Sequence, residues 1–179
     1  MDSGTYDYFT LAIVGKEHYS RGDFTASEDD NILVHGVAGD TNALGFFGLA
    51  YYAENEGRLK AAPIKLDDFA PGVLPSVENA KNGIYQPLSR PIFIYVNKRT
   101  ADAKENVWKF VEFYLNVRNA VTLVTEVGYV PLPEEGIRAF QRRFANRDIG
   151  SAFLDGSQTG ISIEELVRMP LRSNRLKID

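Results

Sequence analysis

The sequence predicts an α/β fold in which helices alternate with strands of a largely parallel sheet. Three observations predict it. Short apolar runs rich in β-branched and aromatic residues recur, the clearest being Pro91–Val96 (Pro-Ile-Phe-Ile-Tyr-Val). Between them lie stretches whose apolar residues repeat at three and four, the spacing of one helix face. Hydrophobic residues make up 44% of the 179 and aromatics 12%, enough for a packed core rather than a disordered chain.

Tyr6, Phe9 and Ile13 place an apolar stripe on a first helix that ends at Gly15. The polar stretch up to Phe24 reads as a loop. A second helix is expected to start near Thr25 or Ser27, because Thr25-Ala26-Ser27-Glu28 and Ser27-Glu28-Asp29-Asp30 both fit a capping box. Glu28, Asp29 and Asp30 would lie in its first turn, where the helix dipole favours negative charge. Ile32, Leu33 and Val37 would face inward, and Gly39-Asp40 would stop it. Ala43–Phe47 reads as a short buried strand leading into a helix over Leu49–Asn55, and Leu59–Leu66 as another strand. Asp67–Pro75 is a loop, after which Ser76 caps a short helix ending at Gly83. Pro91–Val96, nearly all apolar, suits a strand buried on both faces. Val107, Phe110, Val111 and Tyr114 mark an amphipathic helix, Val117–Val127 a second, and Pro133-Glu134-Glu135 opens a third. Ser162-Ile163-Glu164-Glu165 starts one last short helix.

Composition removes several classes of function. The 24 acidic and 20 basic residues are well mixed, net −4, with no basic block of the kind that lines a nucleic-acid groove. An anion bound here must be captured by a local site rather than by overall charge. With no cysteine, disulfides, thiolate metal sites and cysteine nucleophiles are excluded together. No apolar window of about 18 residues occurs, as a membrane-spanning helix would need. Met1-Asp2-Ser3-Gly4-Thr5 has neither a basic n-region nor an apolar h-region, so no export signal is expected within this chain.

The residues most suited to chemistry are Ser3, Gly4 and Thr5, directly ahead of the first helix. A helix start leaves backbone N–H groups without partners, and its dipole attracts an anion. Glycine admits a ligand close to the backbone, and the hydroxyls add directional donors. An ordinary Ser or Thr cap is the alternative reading of the same three residues. Arg21, in the polar loop Ser20-Arg21-Gly22-Asp23, is a second candidate: a guanidinium clamps phosphate with two parallel hydrogen bonds. Its alternative is a solvated side chain or an ion pair with Asp23 or Glu28. Asp2 adjoins the cradle as a possible acceptor. Glu28-Asp29-Asp30 is better read as a helix cap than a metal site, since no histidine accompanies it. His18 is placed in a loop and His35 on a helix, neither in a catalytic spacing. Glu134-Glu135 are ordinary first-turn acids. Trp108, Phe110, Phe113 and Tyr114 read as packing residues, and no catalytic constellation emerges.

Five segments, taken together, resemble the phosphate receptors of ABC importers. Asp2-Ser3-Gly4-Thr5-Tyr6-Asp7-Tyr8-Phe9 is similar to that family's phosphate-cradling segment. Thr25-Ala26-Ser27-Glu28-Asp29-Asp30-Asn31 follows, with Val34 and the pairs Gly36-Val37 and Gly39-Asp40. Ala43-Leu44-Gly45-Phe46-Phe47-Gly48-Leu49-Ala50-Tyr51 resembles its strand-to-helix segment. Pro87-Leu88-Ser89-Arg90-Pro91-Ile92-Phe93-Ile94-Tyr95-Val96-Asn97-Lys98 resembles its return strand, and Val127-Gly128-Tyr129-Val130-Pro131-Leu132-Pro133 its late loop. The order is the family's, over about residues 2 to 145.

The resemblance implies a type II periplasmic-binding-protein-like fold, of which this chain would be the C-terminal portion of a two-lobed whole. Residues 1–86 would form part of the second lobe with the phosphate cradle, 87–146 the return strand and helices of the first lobe, and 147–179 a C-terminal extension. Ser3, Gly4 and Thr5 would contact phosphate, with Arg21 and Asp2 as further candidates. Other family contacts, an acidic residue of the first lobe and an arginine just before Ser-Gly-Thr, do not map here, so the chain reads as N-terminally truncated. The expected partners are inorganic phosphate, a membrane permease of an ABC importer and the missing N-terminal lobe, with no nucleic acid. The expected location is periplasmic or at the cell surface. No cofactor, metal or enzymatic activity is expected. Sulfate or molybdate is an alternative ligand, and a phosphate-ester hydrolase or a scaffold module an alternative class. Without the acceptor for the phosphate proton that the other lobe would carry, the chain is expected to bind phosphate weakly or not at all by itself.

Overall fold

A computed structural model of the chain describes residues 3–154, 156 and 158–173. These residues form helices α1 (Gly4–Val14), α2 (Asp30–Gly39), α3 (Leu49–Ala53), α4 (Val77–Lys81), α5 (Lys98–Ala103), α6 (Glu105–Tyr114), α7 (Val117–Glu126), α8 (Glu134–Ala145) and α9 (Ile163–Arg168). Two compact units result. One runs to Arg90 and takes in Val127–Tyr129; the other comprises Pro91–Glu126 and the chain from Val130 on.

In the first unit α1 begins at its Ser3 cap and ends at Gly15. The Gly15 N–H donates to the Leu11 carbonyl at a φ of 80°, a left-handed turn that glycine adopts without penalty. Two residues of the stripe anticipated on α1 pack, the Phe9 ring on Phe46 at 3.9 Å and Tyr6 on Phe24 at 5.8 Å, while Ile13 is exposed. Helix α2 starts later than either capping box would have it. Asp29 is the cap, its carboxylate accepting from the Asn31 N–H, while the Ser27 hydroxyl accepts from Asp29 N in a local turn. The inward face differs from the expected one: Val34 is buried and Ile32 exposed. α2 packs on α3. Val127–Tyr129 joins this unit through Gly128, whose φ is +77° and whose Cβ, if it had one, would lie 2.9 Å from the Ala50 methyl.

The second unit is a sequence of helical contacts, α5 on α6, α6 on α7, α7 on α8 and α8 on α9, around Ala101, Val111, Ile137, Ala139 and Leu166. α5 was not foreseen. Its signal is Asn97, whose side-chain oxygen accepts from the Thr100 N–H. Trp108 packs on Phe144 at 4.3 Å with the Arg147 guanidinium over its ring, while Phe110, Phe113 and Tyr114 lie exposed rather than packed. Arg143 donates to the Val167 and Met169 carbonyls, fastening α8 to the end of α9. α9 carries the expected capping box of Ser162 and Glu165.

The expected strands do not form. Among the described residues the only β pairings are two isolated antiparallel bridges, Ile64 with Val73 and Ser151 with Arg172. Leu44, placed in a buried strand by its neighbours, is 87% exposed. Ile92 and Tyr95, in the clearest strand pattern of the sequence, are 63% and 81% exposed. The physical reason is that a strand is defined by the ladder it shares with a neighbour. Apolar β-branched residues make a segment fit for a sheet, but among the described residues Pro91–Val96 meets no ladder.

Candidate functional site

The start of α1 is where sequence-predicted residues come together. Ser3 holds an extended backbone and its Oγ accepts from the Tyr6 N–H at 3.3 Å, while its carbonyl accepts from Asp7 N at 3.0 Å. Helix geometry leaves the Gly4 and Thr5 amides without an intrahelical acceptor, at the positive end of the α1 dipole. Gly4 is exposed, and Ser3 and Thr5 are half-buried. Ser3 is thus the ordinary cap that the sequence left open. This cap is compatible with the cradle reading, because a hydroxyl that accepts through oxygen keeps its own proton to donate. Asp2 lies outside the described residues.

The loop after α1 folds back onto the helix. The buried Thr10 hydroxyl donates to the Tyr6 and Asp7 carbonyls and accepts from the His18 N–H at 3.0 Å. The Tyr6 hydroxyl is 2.6 Å from the Ser20 hydroxyl, and His18 Nδ1 is 3.3 Å from an Asp7 carboxylate oxygen. Arg21 is carried in this loop, yet its Nε and Nη2 both donate to the Asp23 carboxylate. That pairing raises the guanidinium pKa and lowers the Asp23 carboxyl below its ordinary value. The ion pair with Asp23 is the alternative the sequence offered for Arg21.

Other candidates separate. Asp30 is pushed above its usual range, first by burial and then by the Asp29 charge, as a first-turn acid of α2. His35 is exposed on α2, its Nδ1 3.4 Å from Arg58 Nη2. Among the described residues no group of three His, Cys, Asp or Glu is arranged to hold a metal ion. Among them, too, no helix is long and apolar enough to cross a membrane.

One residue at the cradle escaped the sequence reading. Arg90, 85 positions from Thr5, places Nη2 3.4 Å from the Thr5 hydroxyl oxygen. A Cβ built on Gly4 would lie 3.5 Å from Arg90 Nη1 and 3.7 Å from Nη2, so the guanidinium sits directly over the first turn. Its plane lies over the Tyr8 ring, 5.2 Å from the centroid, and the Tyr8 hydroxyl donates to the Pro87 and Ser89 carbonyls. Nothing local in Ser89-Arg90-Pro91 signals this; the contact exists only because α1 and residues 87–90 meet in space.

No protein-family model matches the chain. Over 167 residues, 93% of this chain, it is 51% identical to Protein SphX of Synechococcus elongatus and 47% identical to Protein SphX of Synechocystis. It is 31% identical over 155 residues to Phosphate-binding protein PstS of Staphylococcus aureus. The chain spans about half the length of these relatives, 48% of SphX and 43% of PstS. Among solved structures it matches a possible phosphate binding protein from Planctomyces limnophilus with a TM-score of 0.63 and 39% identity, covering 83% of this chain and 52% of that one. The resemblance to phosphate-binding proteins carried by the five segments is borne out.

Proposed function

We propose that the chain carries part of an inorganic phosphate site and works as the phosphate-binding component of an ABC importer, outside the cytoplasm, without catalysis. The observation that carries this reading is the start of α1, where helix geometry leaves the Gly4 and Thr5 amides without intrahelical acceptors and the Ser3 and Thr5 hydroxyls stand beside them. Two of the similar proteins are named for phosphate binding. Phosphate oxygens accept from the Gly4 and Thr5 N–H groups and from both hydroxyls. Each charge-assisted hydrogen bond of this kind contributes about 1.5–3 kcal/mol.

The finer architecture belongs to the same proposal. Residues 1–86 contribute the cradle side of a two-lobed α/β receptor of type II periplasmic-binding-protein form, and 87–146 return to the other lobe. A complementary polypeptide, matching the part of the relatives that this chain does not cover, supplies neighbours for Pro91–Val96 and an acceptor for the phosphate proton. That acceptor separates phosphate from sulfate, which has no proton to give and would leave it unpaired. A membrane permease receives the loaded receptor.

Amide chemical shifts of the isotopically labelled chain, followed as inorganic phosphate is added against matched chloride, test the site. Gly4, Thr5 and Tyr6 are expected to shift and saturate in the millimolar range. Shifts that match chloride, or that miss this turn, would refute the site. A titration with sulfate giving equal affinity would assign the cradle to oxyanions generally.

A further inference from the structure

We propose that Arg90 is a direct anion-contacting residue of the cradle at α1, and that Tyr8 positions it; this rests on the phosphate reading of that turn. The argument is electrostatic and geometric. A guanidinium carries full positive charge, and the start of a helix carries about half a positive charge of its own. On charge alone, placing one over the other is unfavourable, and an anion between or beside them relieves that repulsion. Here the contact is built from a distant segment. Arg90 Nη1 and Nη2 stand 3.5 and 3.7 Å from where a Gly4 side chain would begin, and Nη2 reaches the Thr5 hydroxyl at only 3.4 Å. That long bond to a neutral oxygen is a weak return for bringing two positive groups together.

Tyr8 explains how the arrangement persists. Its ring face attracts the guanidinium at 5.2 Å. Its hydroxyl, 2.8 Å from the Pro87 carbonyl and 3.2 Å from that of Ser89, ties the backbone that leads into Arg90 to the second turn of α1. Arg90 is an exposed residue, so an anion arriving at the Gly4 and Thr5 amides can reach its guanidinium from solvent. The planar fork then offers two parallel donors to two oxygens of one phosphate, a geometry that a lysine ammonium does not reproduce. Arg90 thereby takes the clamp role for which the sequence offered Arg21 as one candidate, whose own fork pairs with Asp23.

The test is the same phosphate titration on the intact chain and on Arg90→Ala, Arg90→Lys and Tyr8→Phe, with the Arg90 Nε resonance followed as well. Expected are saturable shifts at Gly4, Thr5 and Arg90 Nε in the unaltered chain. Arg90→Ala should weaken phosphate by about tenfold or more, Arg90→Lys by several-fold, and Tyr8→Phe, which keeps the ring and loses the tether, by an intermediate factor. Unchanged amide shifts elsewhere in each variant establish that the fold survives. If Gly4 and Thr5 respond but Arg90→Ala binds phosphate as tightly as the unaltered chain, Arg90 is not a ligand and the cradle stands without it. If Gly4 and Thr5 do not respond in the unaltered chain, the site and Arg90's place in it fall together.

Discussion

Thr10 does at the scale of one side chain what no helix periodicity announces. Its hydroxyl is buried in α1, bonded back to the Tyr6 and Asp7 carbonyls, and it also receives the His18 N–H from the returning loop. Thr10→Val preserves shape and removes all three bonds, leaving the His18 amide without its acceptor. A loss of about 1–3 kcal/mol is expected from urea denaturation, with Thr10→Ser retaining most of the stability. Equal stability of Thr10→Val would mean the loop is not fastened there. Gly128 is constrained twice, by its left-handed φ of +77° and by the 2.9 Å approach to Ala50. Replacement by alanine is therefore expected to cost more than about 1 kcal/mol by the same measurement. At this scale the sequence exposed Ser3, Gly4 and Thr5 because their chemistry is local. It hid Arg90, because the neighbour that gives Arg90 meaning is 85 positions away.

Elements were legible wherever a helix announces its own ends. The boundary of α1 at Gly15, the cap of α4 by Ser76 and the capping box of α9 all follow from residues within four positions of one another. In α9 the Ser162 hydroxyl accepts from Glu165 N, and the Glu165 carboxylate accepts from the Ser162 amide and hydroxyl. The backbone bond first, and the hydroxyl second, hold that carboxyl below its ordinary value. Ser162→Ala should cost about 1 kcal/mol, read as roughly fivefold faster amide exchange in α9. Asp102 links elements instead. It pairs with Lys98 one turn back in α5 and with Arg147 beyond α8, and these bonds lower its carboxyl pKa. A depressed carboxylate supports the fold above its unfolded pKa, near 3.8, and loses that support as pH falls through the lower folded value. Asp102→Asn should therefore flatten the acid limb of the stability–pH profile below about pH 4 and change stability least at its acid end. An unchanged limb would remove Asp102 from the acid response. The start of α2 is not legible in the sequence because three acids and two hydroxyls between Thr25 and Asp30 offer several competing caps, of which Asp29 is the one used.

For the molecule as a whole, the notable feature is apolar surface left in water. Ile92, Phe93, Ile94 and Tyr95 are exposed along an extended segment, and Phe110 and Phe113 on α6 are exposed as well. An unpaired apolar segment is a template for association between chains. The chain alone is expected to self-associate as concentration rises, measured by sedimentation, and Ile92→Lys with Tyr95→Lys should reduce it; equal association in that variant would point to another surface. By itself the sequence determined most of the helices, the ends of α1, α4 and α9, the hydroxyl-and-glycine turn and the kinship with phosphate-binding proteins, because each is written in residues close along the chain or in their order. Only the tertiary structure decided that Arg90 stands over that turn, that Arg21 is taken by Asp23, and that among the described residues the strand-like runs join no sheet beyond the single Ile64–Val73 bridge. The reason is common to all three: a salt bridge, a clamp and a ladder each require a partner at a particular place in space, and apolar pattern or residue type says that a group seeks a partner without saying which one it finds.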